Sequence, residues 1–242
     1  MKVLNNILGY DLKIYQDNDY FCFSIDSVIL ANLCNINLRT KNICELGTGN
    51  GVVPLILTRR TNALIDGVEI QKDLCLLANE SILLNNKEKQ INIINQDMRD
   101  FSKTNLNKYD LVLCNPPYFK IDPNSTKNND NHKSIARHEI DLTLDDCFKT
   151  ASLILKEGKR FVTVNRCDRL IDVIDTMKKY KLEPKYLRFI YDNLNTFPNL
   201  FIIEGILNGS SGLIVDKPFV MYDLNHLETE EYKLMVGDNN AK

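Results

Sequence analysis

Asn42-Ile-Cys-Glu-Leu-Gly-Thr-Gly-Asn-Gly51 joins a short strand-like run to a loop with glycine at every second position. A helical pattern follows directly, from Val52 to about Thr61. A strand, a glycine turn and a helix form the front of a nucleotide-binding βαβ unit. The glycines let the backbone approach a ligand closely, since any Cβ would occupy that space. The G-x-G-x-G spacing is not the G-x-G-x-x-G of dinucleotide enzymes, which argues against NAD.

An acidic residue, Glu69, ends the next strand-like run. It lies about twenty residues after the glycine loop, where nucleotide-binding folds place a carboxylate that grips a ribose diol. The alternative interpretation is an ordinary charge at the N-terminus of the following helix. The glycine loop and the acid together favour a bound nucleotide.

A second motif, Asn115-Pro-Pro-Tyr118, follows the apolar run 109–114. Proline fixes φ, lacks an N–H and pushes the preceding residue toward extended geometry. Two prolines therefore make a stiff elbow whose carbonyls point outward as acceptors. Asn115 adds a side-chain carbonyl and Tyr118 adds a flat face for stacking. Acceptors beside an aromatic ring suit a planar substrate with an amino group, although the tetrapeptide alone could be an ordinary turn.

Strand-like and helical runs alternate along most of the chain. This alternation predicts an α/β fold with a mostly parallel sheet covered on both faces, in which ligands bind at the carboxyl ends of the strands. The predicted strands are 42–46, 63–69, 91–95, 110–114, 160–165, 186–191 and 200–207, and the predicted helices are 52–61, 72–85, 144–155 and 169–180. Gly158 is expected to form a turn before the fifth of these strands.

The organisation expected is one domain, with 1–40 as an N-terminal preface, 41–208 as the core and 209–242 as an acidic tail without an assigned role. In the preface, 21–25 has a strand-like pattern. Asp26 follows it as the N-cap of a helix over 27–33, or alternatively as a residue that lines the ligand cleft. The polar stretch 120–138 has no periodicity and predicts a long loop of the kind that is usually functional or mobile.

The composition is that of an ordinary soluble globular protein of 242 residues, with 44% apolar and 26% charged residues. No run approaches the ~18 apolar residues that a membrane helix needs, and the N-terminus lacks the layout of a secretory signal. Seven cysteines without C-x-x-C spacing predict a reduced, cytoplasmic protein. Three widely spaced histidines give no sign of a metal site.

Four features in this order, Glu45–Gly51, Glu69, Asp97 and Asn115–Tyr118, resemble the class I S-adenosylmethionine-dependent methyltransferases that modify exocyclic amines. The resemblance implies a Rossmann-like sheet of seven strands, mostly parallel, with 200–207 as an antiparallel strand. It also implies S-adenosylmethionine as the cofactor. The cofactor-binding residues that we assign are Asp26, Glu45, Gly47, Gly49, Gly51, Glu69, Asp97, Met98 and Asn115.

The same resemblance implies a role for each part of this set. The glycines would hold the methionine end of the cofactor with Glu45 nearby, and Glu69 would hold the ribose hydroxyls. Asp97 with Met98 would meet the adenine. Without the resemblance, Asp97 is equally a loop carboxylate that caps the next helical turn.

More narrowly, the chain is similar to the bacterial tRNA(Val) adenine-N6 methyltransferases, which modify the adenosine 3′ to the anticodon. That likeness includes 23–32 and 136–139 and extends to about residue 222. It implies that the target adenine is bound by Asn115, Pro116, Pro117 and Tyr118. The Asn115 side chain and the Pro116 carbonyl would accept the two N6 hydrogens. Stacking on Tyr118 would contribute roughly 1–3 kcal/mol.

Other functions stay open at this stage. Related elbows occur in enzymes that methylate guanine N2 of ribosomal RNA or a protein glutamine amide. The first tend to carry phenylalanine at the position of Tyr118, and the second carry a sizeable helical domain before the glycine loop, where this chain has 44 residues. More distant alternatives are a nucleotide-binding oxidoreductase and a non-catalytic RNA-binding module.

The charge distribution bears on the expected partner, a tRNA. A net charge of −2 argues against indiscriminate binding to nucleic acid. Residues 120–190, however, carry 15 Lys/Arg against 11 Asp/Glu, directly after the Asn-Pro-Pro-Tyr elbow. This excess makes Lys133, Arg137, Arg166 and Arg169 candidates for RNA contact, although a solvated helix face would explain it equally well. We expect no membrane contact and no obligate protein partner.

Overall fold

A large mixed sheet dominates the computed structural model, which describes residues 1–7, 9–17, 19–20, 22–116 and 143–236. In this part of the chain a two-stranded hairpin precedes a sheet of nine strands. The strands are β1 (Lys2–Asn6), β2 (Lys13–Asp17), β3 (Asn42–Leu46), β4 (Leu64–Glu69), β5 (Ile91–Asn95), β6 (Tyr109–Cys114), β7 (Leu155–Arg166), β8 (Leu182–Tyr191), β9 (Leu200–Leu207), β10 (Ile214–Val215) and β11 (Phe219–Val220).

The seven long strands of the sheet lie in the order β5-β4-β3-β6-β7-β9-β8. Strand β9 runs antiparallel to both β7 and β8, and the other long strands pair in parallel. The predicted seven-stranded, mostly parallel sheet is thereby confirmed, including its antiparallel strand over 200–207. The short strands β10 and β11 both pair with β8 and raise the described number from seven to nine.

Helices cover both faces of the sheet, as the alternating pattern predicts. They are α1 (Ile25–Leu33), α2 (Val52–Leu57), α3 (Lys72–Leu84), α4 (Met98–Thr104), α5 (Leu144–Ile154), α6 (Leu170–Lys179) and α7 (Glu230–Val236), with a 3₁₀ turn at Cys167–Arg169. Apolar side chains of α1, α2, α3 and α7 form one buried cluster with the hairpin and one sheet face. Those of α4, α5 and α6 form a second cluster on the other face.

The start of α1 differs from its prediction. The helix begins at Ile25, and Ser24 has the extended backbone of an N-cap, so Asp26 lies in the first turn and does not cap the helix. An acid in the first turn is favoured by the helix dipole, which explains why either position fits the sequence. The strand expected over 21–25 is wrong for its described residues, because 22–24 are in no strand.

Further element boundaries differ, among them the start of β8, which lies at Leu182 and not at 186. Helix α2 ends at Leu57, because i→i+3 bonds such as that from the Arg60 N–H to the Leu57 carbonyl (2.9 Å) tighten its last turn. Strand β7 runs without interruption through Gly158, where a turn was predicted. Gly158 has a φ of 69°, and the register with β6 shifts there, so the residue is absorbed as a bulge.

The preface and the acidic tail both pack against the core. The Tyr10 hydroxyl donates to the Met235 carbonyl and contacts Asn32 Oδ1, each at 2.6 Å, which joins the hairpin, α1 and α7. In the tail, Glu231 accepts two hydrogen bonds from the buried Arg188 of β8, at 2.7 and 2.8 Å. The tail, which has no role predicted from the sequence, therefore helps to close one face of the sheet.

The close packing of β9 gives a stability prediction for Gly205→Ala. A Cβ at this position would lie 2.5 Å from Met177 Cε and 2.9 Å from the Leu182 carbonyl oxygen. Because the second contact is backbone, we expect the variant to lose about 1–3 kcal/mol of unfolding free energy. Urea unfolding of this variant and of the surface control Ser211→Ala checks it. Equal midpoints for the two variants would contradict the packing argument.

Candidate active site

The predicted cofactor and acceptor residues meet at one edge of the sheet. Strands β5, β4, β3 and β6 are parallel neighbours, so their carboxyl ends share that edge. Glu69 ends β4, Glu45 is one residue from the end of β3, Asp97 follows β5 and Asn115 follows β6. Ligands of open α/β sheets bind at this edge.

The glycine loop, residues 47–51, leaves its backbone accessible at the end of β3. It is held by the Gly47 and Thr48 N–H groups, which donate to the Val68 carbonyl at 2.9 and 3.1 Å. Gly47 and Gly49 have φ values of 72° and 57°, and a Cβ at either position would enter open space. A ligand can therefore approach this backbone closely. Gly51 also packs closely, since a Cβ there would lie 3.1 Å from the Ala78 methyl group, and its role in cofactor binding stays a prediction.

Glu69 is buried and its carboxylate is oriented by backbone donors. Its Oε2 accepts from the Gly49 N–H at 2.9 Å, and its Oε1 accepts from the Gln71 N–H at 2.8 Å. These two bonds, one on each carboxylate oxygen, help to fix its orientation. The carboxylate links the glycine loop to the end of β4, where the sequence predicts a ribose site.

Glu45 is the most deeply buried acid at this edge, with 2% of its surface exposed. The Thr48 hydroxyl donates to its Oε2. Burial raises the pKa of Glu45 to about 8, and the nearby Glu69 charge acts in the same direction. A cation placed beside Glu45 would favour its ionised form. This carboxyl therefore suits a cationic ligand at the glycine loop.

Asp97 shows the capping role that the sequence left open. It is the N-cap of α4 and accepts from the Arg99 N–H at 2.8 Å. The Arg99 side chain also bonds to both carboxylate oxygens at 2.5–3.1 Å and holds the pKa of Asp97 below its usual value. Met98 is buried in the apolar cluster of α4, α5 and α6. Contact of either residue with a cofactor adenine stays a prediction.

Asn115 connects the elbow to the first turn of α1. Its Nδ2 lies 3.3 Å from the Ser27 hydroxyl oxygen, which accepts this bond. Asp26 is in the same helical turn. Pro117 and Tyr118 lie outside the described residues. The sequence did not single out Ser27, although it lies in the 23–32 segment that carries part of the family resemblance.

Asn165 is a second site residue that the sequence did not single out. It is fully buried near the end of β7, two residues beyond Thr163, the partner of Cys114 in the ladder. Its Oδ1 accepts from the Arg166 N–H at 2.9 Å, whereas Nδ2 has no acceptor among the residues that the structure describes. A buried unpaired donor costs roughly 1–3 kcal/mol. An acceptor brought to this end of the sheet would recover that energy.

Two of the four residues predicted to contact RNA, Arg166 and Arg169, lie in the described chain, and both are ion-paired. Arg166, whose side chain is 56% exposed, contacts Asp168 at 3.3 Å, and the mostly buried Arg169 contacts Asp172 at 2.9 Å. Arg166 ends β7 and so lies at the edge that carries the candidate site. Lys133 and Arg137 lie outside the described residues.

The described residues show neither a metal cluster nor a membrane-spanning helix, and their cysteines are reduced. No group of three His, Cys, Asp or Glu side chains in them could hold a metal ion. None of the helices in these residues combines the length and apolarity needed to cross a membrane. All seven cysteines are free thiols, most of them buried.

A doubly wound sheet with a glycine loop after its first parallel strand, an acid after the second and an Asn-Pro elbow after the fourth defines a class I methyltransferase. The chain belongs to the methyltransferase small domain family, whose model matches residues 14–164.

Curated relatives cover most of the chain. A protein of Pedobacter heparinus is 29% identical over 214 residues, which is 88% of each chain. One of Cytophaga hutchinsonii is 26% identical over 181 residues, 74% of each chain. One of Bacteroides fragilis is 34% identical over 152 residues, 62% of each chain. All three are named tRNA1(Val) (adenine(37)-N6)-methyltransferase.

Solved structures share the fold. A crystal structure described as a predicted O-methyltransferase of Agrobacterium tumefaciens superposes with a TM-score of 0.69, covering 89% of this chain and 96% of that one at 17% identity. Geranyl diphosphate C-methyltransferase of Streptomyces coelicolor, solved with S-adenosyl-L-homocysteine, gives a TM-score of 0.55 over 76% of this chain and 77% of that one at 13% identity.

The raised pKa of Glu45 gives a prediction for the pH dependence of stability. The folded protein keeps this carboxyl protonated up to about pH 8, whereas a glutamate in the unfolded chain has its ordinary pKa of 4.5. The free energy of unfolding therefore falls between these values as pH rises, by about 1 kcal/mol per pH unit from this group. Glu45→Gln keeps an acceptor for Thr48 and should flatten that slope.

Urea unfolding at pH 5, 6.5 and 8 measures the effect, with the exposed Glu88→Gln as the matched control. A wild-type slope retained by Glu45→Gln would mean that Glu45 is ionised throughout the range.

Proposed function

We propose that the chain transfers a methyl group from S-adenosylmethionine to the exocyclic N6 of adenosine 37 in tRNA1(Val), the adenosine 3′ to the anticodon. The observation that carries this proposal is the position of Asn115 beside the glycine loop. The two motifs end neighbouring parallel strands, β3 and β6, which pair from Ile43↔Leu111 to Leu46↔Cys114. A methyl donor bound at one motif would therefore face an acceptor bound at the other.

The residues at the edge fit this cofactor. Bare backbone at Gly47 and Gly49 leaves room for a ligand. Glu45 offers a buried carboxyl that a cationic ligand would ionise, and Glu69 presents an oriented carboxylate to ribose hydroxyls. When bound, S-adenosylmethionine supplies an electrophilic methyl group on a cationic sulfonium. The chain contributes position and charge around that group.

The elbow suits an amine acceptor. The N6 lone pair of adenine is delocalised into the ring, so the nitrogen is a poor nucleophile. Hydrogen bonds from its two N–H groups to the Asn115 side-chain carbonyl and the Pro116 carbonyl would orient the amine and increase electron density on nitrogen. The bond to Ser27 fixes the Asn115 amide so that Nδ2 faces α1. A strong base is not needed, because the nitrogen loses a proton after it has become cationic.

The substrate assignment is supported by the names of the curated relatives, which state this base, position and tRNA. Methylation of guanine N2 or of a glutamine amide has no such support. An anticodon loop presents its bases unpaired, so extrusion of the target costs less than in a duplex. Of the two basic candidates in the described chain, Arg166 is the better placed, because it is more exposed and lies at the end of β7. Methylation of a tRNA would also be consistent with the cytoplasmic location that the sequence predicts.

Asn115→Ala tests the acceptor half of the site separately from the cofactor half. We expect methyl transfer to fall roughly 100-fold or more, the scale on which a lost transition-state hydrogen bond acts. Affinity for S-adenosylhomocysteine should stay near that of the wild type, because the glycine loop and Glu69 are unchanged. Ser27→Ala should give a smaller loss, since it removes one contact of the amide and leaves the amide itself in place. Single-turnover rates and calorimetric binding measure both, and normal turnover by Asn115→Ala would exclude the role.

The product identifies the substrate directly. The protein is incubated with labelled S-adenosylmethionine and total RNA from a strain that lacks the gene, and the labelled nucleoside is mapped. We expect N6-methyladenosine at position 37 of tRNA1(Val). Label in guanosine, in another RNA or in protein would overturn the assignment. Thermal melting of the same preparation distinguishes a methyltransferase from an NAD-dependent oxidoreductase. We expect S-adenosylhomocysteine, and not NAD, to raise the melting temperature.

A further inference from the structure

The loop between β8 and β9, residues 192–199, lies at the same edge of the sheet as the candidate active site. Strand β9 is antiparallel to both β7 and β8, so β7 and β8 run in the same direction and end at the same edge. Arg166 at the end of β7 pairs with Leu200, and the Cys167 N–H donates to the Asn199 carbonyl at 3.0 Å. The loop is two to three strand spacings from Asn115, which is about 10–15 Å.

This loop holds a phenylalanine out in solvent. Phe197 is 91% exposed, and Leu194 beside it is also exposed. Burying a phenylalanine side chain stabilises a folded protein by roughly 1.5–3 kcal/mol. The exposed Phe197 does not provide this stabilisation.

The loop is ordered by internal hydrogen bonds centred on the buried Asn193. The Asn193 side-chain oxygen accepts from the Asn195 N–H at 3.0 Å. Its carbonyl accepts from the N–H and the hydroxyl of Thr196, at 3.1 and 2.8 Å. Pro198 restricts Phe197 to extended backbone conformations. These contacts fix the backbone of the loop that carries Phe197. Little conformational entropy of the loop would therefore be lost when a ligand covers the Phe197 ring.

We propose that the 192–199 loop binds the RNA strand next to the target base, with Phe197 stacking on a neighbouring unpaired nucleobase. This inference rests on the proposed function. Unpaired bases are commonly recognised by stacking on aromatic side chains, at roughly 1–3 kcal/mol per base. The position at the acceptor side of the edge favours RNA over a protein partner. Arg166 lies between the loop and the elbow and is exposed enough to contact a phosphate.

Asn195 and Asn199, two residues before and after Phe197 in the loop, are both exposed. They can donate to and accept from base edges, which suits a loop that meets bases whose pairing groups are free. A surface for a protein partner would more often be apolar around its aromatic centre.

The test compares Phe197→Ala with Phe197→Trp in the full-length protein. The probe is an anticodon stem-loop RNA that carries adenosine 3′ to the anticodon, and a fully paired RNA of the same length is its control. We expect Phe197→Ala to bind the stem-loop roughly 5- to 100-fold more weakly. Phe197→Trp, which keeps an aromatic ring, should bind the stem-loop about as tightly as the wild type. Affinity for S-adenosylhomocysteine should not change in either variant.

Salt dependence separates stacking from charge. Phe197→Ala should keep the wild-type slope of log affinity against log salt, whereas Arg166→Ala should reduce the slope by about one unit. The control Leu38→Ala removes an exposed apolar side chain close to the amino end of β3, at the opposite edge, and should change nothing.

Two results would overturn the inference. One is a Phe197→Ala variant that binds the stem-loop and methylates it like the wild type. The other is an equal loss on the fully paired RNA, which has no unpaired base to stack. Failure of the proposed function looks different, because wild-type protein would then leave the stem-loop unmethylated.

Discussion

The parallel hydrogen-bond ladder of β4, β3 and β6 is the constraint on which the site depends. Leu46 pairs with Val68 on one side and with Cys114 on the other, so the three strands end within about one residue of each other. A slip of one residue would turn every side chain to the opposite face. Glu45 would then leave the glycine loop, and the elbow would no longer lie beside it. The buried apolar residues of both faces fix this register because they penalise any such slip.

Polar groups that are costly to bury are concentrated at the same edge. Glu45 and Glu69 are buried acids, and Asn165 carries an amide without an acceptor in the described chain. Glu45 and Asn165 each lower stability unless a ligand supplies a cation for the first or an acceptor for the second. The apolar clusters on the two faces offset these costs. Such an arrangement is typical of a binding site that the rest of the fold supports at some expense in stability.

The sequence predicted the parts of the fold that follow from long buried patterns. The bounds of the strand Leu200–Leu207 were predicted to the residue from its apolar run, whereas its antiparallel direction was implied by the family resemblance. The start of α1 was wrong, because Ser24 and Asp26 are both good capping residues and only packing decides between them. The bulge at Gly158 depends on the register with β6, which no local pattern contains. Phe197 was missed because an aromatic residue in a loop carries no sign of its exposure.

The strand order also divides the edge into two halves. From β3 the chain proceeds outward through β4 to β5, and it then returns to the other side of β3 as β6. The crevice between β3 and β6 is therefore the topological switch point, where open α/β sheets bind their ligands. Residues suited to a cofactor lie on the β3-β4-β5 side, and the acceptor elbow, Asn165 and the 192–199 loop lie on the other. If the site acts as we propose, an RNA substrate would enter over β6, β7, β9 and β8. The groups that discriminate among RNAs would then belong to these strands and their loops, since the other half of the edge would contact the methyl donor.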